Sequence, residues 1–470
     1  MKIPLLARKV LYTKNSLQKT IKKPLKVLKN TFGFDEFRIP QGKIVDSILD
    51  KKTTLALLPT GYGKSLCFQI PAICLPGYTL VISPLIALME DQVFHLREKN
   101  ISAIGLHSAN KLNKKTFLNL FAKQHYKFIY ISPEKLLSPF FRKLFQKNPP
   151  RFIAVDEAHC FSLWGHNFRP EYRKLPSYFS SIYPTPHLAL FTATASSEVV
   201  KDIASNFDIN KNNIYAGSFF RKNLFLSLKK FHLKSQRFLY ICYLVFHKYK
   251  NQNGIIYCIT RKEVEVLAQA IEKHDFHKQL KLAFFHAGRS QKEKEVIQKK
   301  FIDNKIQLLI TTNAFGMGID KSNIRFVIHA QMPSCMEHYV QEIGRAGRDR
   351  KQSFCELLIH PTDITVHENL SNNPSALKKI TAFSKSKKCH HKKILWFFGE
   401  KVSDDSRCNA CEYCSPSKDI FISKMNSKNK INSSQTFIKQ QKIIFRYQQY
   451  PEFFNQYTAI GTGYSQDVLK

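Results

Sequence analysis

Acidic residues are scarce in this chain. Across 470 residues, 35 Asp and Glu stand against 73 Lys and Arg, a formal net charge of +38. A surplus of that size points to a polyanionic partner, most simply a nucleic acid. An AT-rich coding sequence, which favours Lys, Asn, Phe and Ile at solvated positions, accounts for part of it. Any apolar run of the roughly 18 residues that a membrane-spanning helix needs is also missing. No secretory signal is recognisable. No membrane partner is therefore expected, and the chain reads as cytoplasmic, nucleoid-associated if bacterial. The 11 cysteines are odd in number and scattered except at 408–414, which excludes the disulfide framework of a small secreted domain. Hydrophobic residues, at 43%, are plentiful, enough for two or three domains with buried cores.

Residues 55–66, Leu-Ala-Leu-Leu-Pro-Thr-Gly-Tyr-Gly-Lys-Ser-Leu, read as a strand, a phosphate-binding loop and the first turn of a helix. Gly61 and Gly63 let the backbone take φ > 0 and approach a phosphate closely. The N–H groups of the turn from Thr60 and of the helix start then face an anion. Lys64 is suited to the β/γ-phosphates of ATP and Ser65 to Mg²⁺. The strict phosphate-loop pattern is incomplete, because Leu58 stands at its first glycine. A second half of the site follows at 152–159, Phe-Ile-Ala-Val-Asp-Glu-Ala-His, a hydrophobic strand ending in two carboxylates. Asp156 can hold the metal through water, and Glu157 can polarise an attacking water as general base. Open α/β sheets bind ligands at the carboxyl ends of their strands, where both motifs fall.

From 79 to 215 apolar strands alternate with helices, with strands expected at 79–83, 127–132, 152–156 and 188–192. That pattern implies a parallel, doubly wound sheet. Loops at the strand ends carry Ser83, Ser132 and Thr192-Ala-Thr194. Their hydroxyls suit phosphate-backbone contacts or plain helix caps. Residues 159–172 mix Phe161, Trp164, His166, Phe168, Arg169 and Tyr172 without helical or strand period. Beside the two carboxylates, such a loop reads as a stacking platform for bases, able to signal to the ATP site, or as a folded-back loop with its own small core. Residues 216–365 repeat the alternation, with strands expected at 254–258, 282–285, 307–311 and 325–329. This stretch ends in Gln341-Glu-Ile-Gly-Arg-Ala-Gly-Arg348. Arg345 and Arg348, three apart, are expected on one helix face, where a charge that cannot be lost suits the γ-phosphate.

Taken together these residues resemble the RecQ-type helicases of superfamily 2, from about Phe32 to Cys414. The resemblance rests on Phe32-Gly-Phe…Arg38…Gln41, on Val155 to Cys160 followed by Trp164-Gly-His…Phe168-Arg-Pro-Glu-Tyr172, and on Ser218-Phe…Arg221…Asn223. Phe285-His-Ala-Gly288, Ala314 to Lys321 and Gln341 to Asp349 complete it. It implies that Phe34 and Arg38 sandwich adenine, that Gln41 bonds its edge, and that the chain moves 3′→5′ on single-stranded DNA. Departures are Pro40 one place late, Leu163 for Gln, Asn167 for Asp, Phe220 for Asp and Lys222 for Pro. An RNA helicase also carries Asp-Glu-Ala-His, but the aromatic loop and the cysteine cluster argue against one.

Cys389, Cys408, Cys411 and Cys414 at C-x₁₈-C-x₂-C-x₂-C fit a tetrahedral structural Zn²⁺. An iron–sulfur cluster also takes four thiolates. His390 and His391, beside the first ligand, are expected in solvent. The resulting reading is α/β: a basic lead-in at 1–31, two RecA-like parallel-sheet domains at 32–215 and 216–365 with ATP between them, a helical zinc subdomain at 366–418, and a basic tail at 419–470. The tail is too short for the winged helix and the helical DNA-binding module of longer relatives. The expected substrates are single-stranded and forked DNA, with single-strand-binding or recombination proteins as possible partners.

Overall fold

The computed structural model describes residues 23–107, 113–163, 168–275, 279–315, 321–370, 373–403 and 407–416. Trp164, His166, most of the basic lead-in and the tail beyond 416 lie outside them. The chain divides into two units, Met1–Gly217 and Ser218–Lys470.

The first unit holds strands β1 (Thr54–Leu57), β2 (Thr79–Ile82), β3 (Ala103–Leu106), β4 (Phe128–Ile131), β5 (Phe152–Val155), β6 (His187–Thr192) and β7 (Ile214–Ala216). They form one sheet in the order β3-β4-β2-β5-β6-β1-β7, and every pairing is parallel. Strands β1 to β5 are buried along their whole length. Alternate residues serve opposite faces: Leu55, Leu80, Ile129 and Ile153 join one apolar cluster, while Ala56, Val81, Phe128 and Ala154 join the other. A sheet covered on both faces writes unbroken apolar runs, which is why the sequence shows them. Because the strands are parallel, the loop after β1 and the Asp-Glu pair after β5 leave the same edge of the sheet.

The second unit holds β8 (Leu224–Lys230), β9 (Gly254–Tyr257), β10 (Leu282–Phe285), β11 (Leu308–Thr311), β12 (Phe326–His329) and β13 (Ser353–Ile359). Their order is β10-β11-β9-β12-β13-β8, again all parallel. Four strands, β3, β7, β8 and β13, are not among those expected from the sequence. The apolar run of β13 is interrupted by Glu356, which is 1% exposed. Its carboxylate accepts from Tyr249 Oη at 2.6 Å and Lys248 Nζ at 2.9 Å, partners far away in sequence.

The cysteine-bearing region is built into this unit. Helices Pro374–Lys385 and His390–Phe397 contribute Leu377, Ile380, Ile394 and Leu395 to the same cluster as Leu226, Leu357 and Tyr339. Strand β8 would otherwise be a free edge. Instead Leu226 N–H donates to Ala410 O at 3.0 Å and Glu412 N–H to Leu226 O at 2.9 Å. Covering an edge in this way removes a site of unwanted strand pairing.

Candidate nucleotide site and cysteine cluster

The phosphate loop has the backbone its glycines foretell: Gly61 and Gly63 take φ of 82° and 84°. Helix Lys64–Cys74 starts directly after Gly63, so its unpaired N–H groups face the loop. Lys64 Nζ lies 2.8 Å from Asp156 Oδ1 and 2.9 Å from Glu157 Oε1, and all three side chains are largely buried. Burial alone would discharge the lysine, but the two carboxylates outweigh it and its pKa is raised. Burial pushes Glu157 up as well; Lys64 and His159 overcome that and leave it well below the usual carboxylate range. Asp156 differs. Burial, reinforced by Glu157, prevails over Lys64 there, and its pKa is raised. The carboxylate least compensated for its burial is thus the one expected at the metal. Its oxygens and the Ser65 hydroxyl are the hard donors that Mg²⁺ prefers.

Glu157 is strained, with φ 48° and ψ 48°, a left-handed conformation that costs a non-glycine residue about 1–3 kcal/mol. The turn aims Glu157 back at Lys64 and starts the short 3₁₀ helix Ala158–Phe161. That helix buries His159, 1% exposed, whose Nδ1 lies 3.0 Å from Thr192 Oγ1 and 3.3 Å from Glu157 Oε2. Burial opposes a charge on His159, but Cys160 and Glu157 outweigh it and raise its pKa.

Arg38, Ile39 and the start of helix Gln41–Leu49 brace the phosphate loop. Arg38 Nη1 donates to Gly61 O at 3.1 Å. Gln41, 3% exposed, donates from Nε2 to Tyr62 O at 2.8 Å and to Gly63 O at 3.4 Å. Its Oε1 accepts from Arg38 N–H at 2.9 Å. Tyr62 Oη closes the ring by donating to Ile39 O at 2.8 Å. Phe34 stays 47% exposed, open to a stacking partner. Tyr62 was not singled out from the sequence; its place between the loop glycines was the available signal.

Several expected contacts are placed differently. Phe161 is 1% exposed and packs its ring 5.0 Å from Phe207, with the Arg173 guanidinium 4.5 Å above it. It is core, not a face for bases, because the 3₁₀ helix turns it inward. Ser83, Thr192 and Thr194 are buried too; Thr192 Oγ1 bonds within the interior, Ser83 Oγ and Thr194 Oγ1 meet no hydrogen-bond partner among the described residues, and Ser132 caps a helix by accepting from Lys135 N–H. Phe168 and Arg169 are half-buried, and Arg169 Nη1 lies 3.5 Å from Glu134 Oε1. The two arginines of 345–348 are not on a helix. Helix Met336–Ile343 ends before them, and Gly347 takes φ 55°, turning the chain. Arg345 is 5% exposed and Arg348 half-buried.

The thiol sulfurs of Cys389, Cys408, Cys411 and Cys414 all lie within 4.8 Å of one another. The Cys408–Cys411 and Cys411–Cys389 sulfurs lie 3.4 and 3.8 Å apart, close to the roughly 3.8 Å edge of a tetrahedron with 2.3 Å zinc–sulfur bonds. The four residues fit zinc. His390 and His391 are buried, contrary to expectation. His391 faces the sheet, its Nε2 3.1 Å from Leu224 O.

Two parallel α/β units with a phosphate loop and an Asp-Glu box define a helicase core. In fold the chain is similar to the DEAD-box helicase Mss116 bound to ssRNA and UDP-BeF, with a TM-score of 0.61 at 17% identity over 82% of each chain. Residues 38–203 match the DEAD/DEAH box helicase model, 236–350 the helicase conserved C-terminal domain and 350–415 the RecQ zinc-binding model. The ATP-dependent DNA helicase RecQ of Bacillus subtilis is 37% identical over 83% of this chain and 67% of its own length. The protein of that name from Haemophilus influenzae is 38% identical over 85% and 65%. The chain belongs to the RecQ family of ATP-dependent DNA helicases, and it spans about two thirds of the length of these curated relatives.

Proposed function

We propose that this chain couples ATP hydrolysis to 3′→5′ movement on single-stranded DNA and opens forked or tailed duplexes in repair or recombination. The observation that carries the reading is Lys64 shared at 2.8 and 2.9 Å between Asp156 and Glu157 on the strand edge that also bears the phosphate loop. ATP phosphates entering the loop draw Lys64 away from the carboxylates. Ser65 and Asp156 would hold Mg²⁺, which screens phosphate charge. Glu157, freed from the lysine and kept ionised, accepts a proton from the attacking water. Phe34, Arg38 and Gln41 hold the adenine, with Gln41 passing its position to Tyr62 and Gly63. Arg345 and Arg348, carried by the second unit, neutralise charge developing at the γ-phosphate. Trp164, His166, Phe168 and Arg169 contact DNA, and the basic surface supplies sequence-independent grip. Such a protein works beside DNA in the cytoplasm, at the nucleoid if the cell is bacterial.

The test is ATP turnover with and without single-stranded DNA. Wild-type turnover should rise with DNA, and Lys64→Ala should abolish it in both conditions while keeping the circular dichroism of the wild type. A Lys64→Ala protein with near-normal DNA-stimulated turnover would overturn the assignment.

A further inference from the structure

The chain enters the second unit at Ser218, one residue beyond Gly217, where a Cβ would come within 3.2 Å of Leu58 and 3.3 Å of Tyr62 of the phosphate loop. Residues 218–223, Ser-Phe-Phe-Arg-Lys-Asn, have no place in the mechanism above, yet most of their polar atoms are committed. Toward the arginine turn, Arg221 Nη2 donates to Ala346 O at 3.1 Å and Gly347 O at 2.8 Å. Asn223 Nδ2 donates to Gly347 O at 2.9 Å and Lys351 O at 3.0 Å. Ala346 and Gly347 are the two residues between Arg345 and Arg348. A turn that leaves the helix strands such carbonyls without helical donors, and the 218–223 segment supplies them. The fit is close: a Cβ on Gly347 would lie 2.4 Å from Asn223 Nδ2.

The same segment is tied at its other end to the zinc module. Glu400 accepts from Ser218 Oγ at 2.7 Å and from Phe219 N–H at 3.1 Å. Phe219 stacks on Phe398, with centroids 4.0 Å apart and planes 6° from parallel. Phe220 meets His391 edge-on at 5.1 Å.

We propose that Ser218–Asn223 is a strap that sets the position of the Arg345–Arg348 turn, with Arg221 and Asn223 as its positioning residues and Glu400 of the zinc module as its anchor. This rests on the reading of Arg345 and Arg348 as γ-phosphate ligands. Displacing a charged ligand by about an ångström can cost on the order of a hundredfold in rate. Because the strap acts through the turn, its loss should lower kcat and leave ATP binding alone.

The experiment measures kcat and KM for ATP at saturating single-stranded DNA, with zinc content, in the full chain carrying Arg345→Ala, Asn223→Ala, Glu400→Ala or Glu400→Gln. Arg345→Ala is expected to lose kcat. Asn223→Ala and Glu400→Ala should fall at least about tenfold in kcat with KM unchanged and one zinc retained, and Glu400→Gln should recover part of the loss. If Arg345→Ala is impaired while Asn223→Ala and Glu400→Ala turn over normally, the turn needs no strap and the proposal fails alone. If Arg345→Ala keeps wild-type kcat, the arginine reading fails and the strap with it. Should Asn223→Ala not fold, hydrogen exchange decides: amides 344–350 should exchange faster in zinc-loaded Glu400→Ala, and unchanged exchange overturns the proposal.

Discussion

His159 Nδ1 lies 3.0 Å from Thr192 Oγ1, and Thr192 Oγ1 in turn donates a hydrogen bond to Thr194 O at 3.0 Å. The Asp-Glu-Ala-His box is thereby fixed to the loop after β6, although 33 residues separate the pair. Thr192→Val keeps the shape and removes the acceptor. His159 Nδ1 keeps Glu157 Oε2 at 3.3 Å, so the variant should destabilise the protein by about 1 kcal/mol, the net worth of one hydrogen bond, and weaken stimulation of ATP turnover by DNA. Unchanged urea midpoint and stimulation would show the contact to be idle.

Glu157→Gln preserves size and left-handed backbone while removing the base. ATP should still bind, and hydrolysis should slow at least about a hundredfold. Equilibrium binding of a fluorescent ATP analogue beside single-turnover hydrolysis separates the two effects. Normal turnover, or lost binding, contradicts the role.

Phe161→Ala tests the reassignment of that ring to the core. Truncation of a buried phenylalanine costs about 3–5 kcal/mol, so the variant should melt earlier. A variant with unchanged melting and weakened DNA binding would return Phe161 to the DNA-contact set.

The chain should carry one zinc, and stripping it should reach beyond the cysteines. Cys389, Cys411 and Cys414 share a cluster with Leu226, Leu357 and Tyr339. Because structural zinc binding is folding free energy, a chelator or Cys411→Ser should loosen β8 and β13 along with the metal loop. Hydrogen exchange in 224–230 and 353–359 reads this out, and elemental analysis showing iron, or exchange unaltered in those strands, would contradict it.

The phosphate loop, the carboxylate pair and the cysteine ligands were legible because each is a local pattern whose chemistry depends on neighbours in sequence. So were the fully apolar strands of two covered sheets. Strand β13 was not, because Glu356 breaks its pattern and its partners Lys248 and Tyr249 sit on another element. Phe161 was misplaced because aromatic content alone does not say which way a 3₁₀ turn points. The spacing of the arginine pair suits one helix face, yet the helix stops at Ile343 and Gly347 lets Asn223 approach. The burial of His391 depends on strand β8, 167 residues away in sequence, and that of His390 on Phe383 of the preceding helix.

Directional, ATP-driven opening of DNA is tested most directly by one duplex presented with a 3′ single-stranded tail, with a 5′ tail, or blunt, in the presence and absence of ATP. The 3′-tailed duplex should open only with ATP, the other two should stay closed, and Glu157→Gln should open none. Opening of the 5′-tailed duplex at an equal rate, or opening of any of them by Glu157→Gln at the wild-type rate, would contradict it.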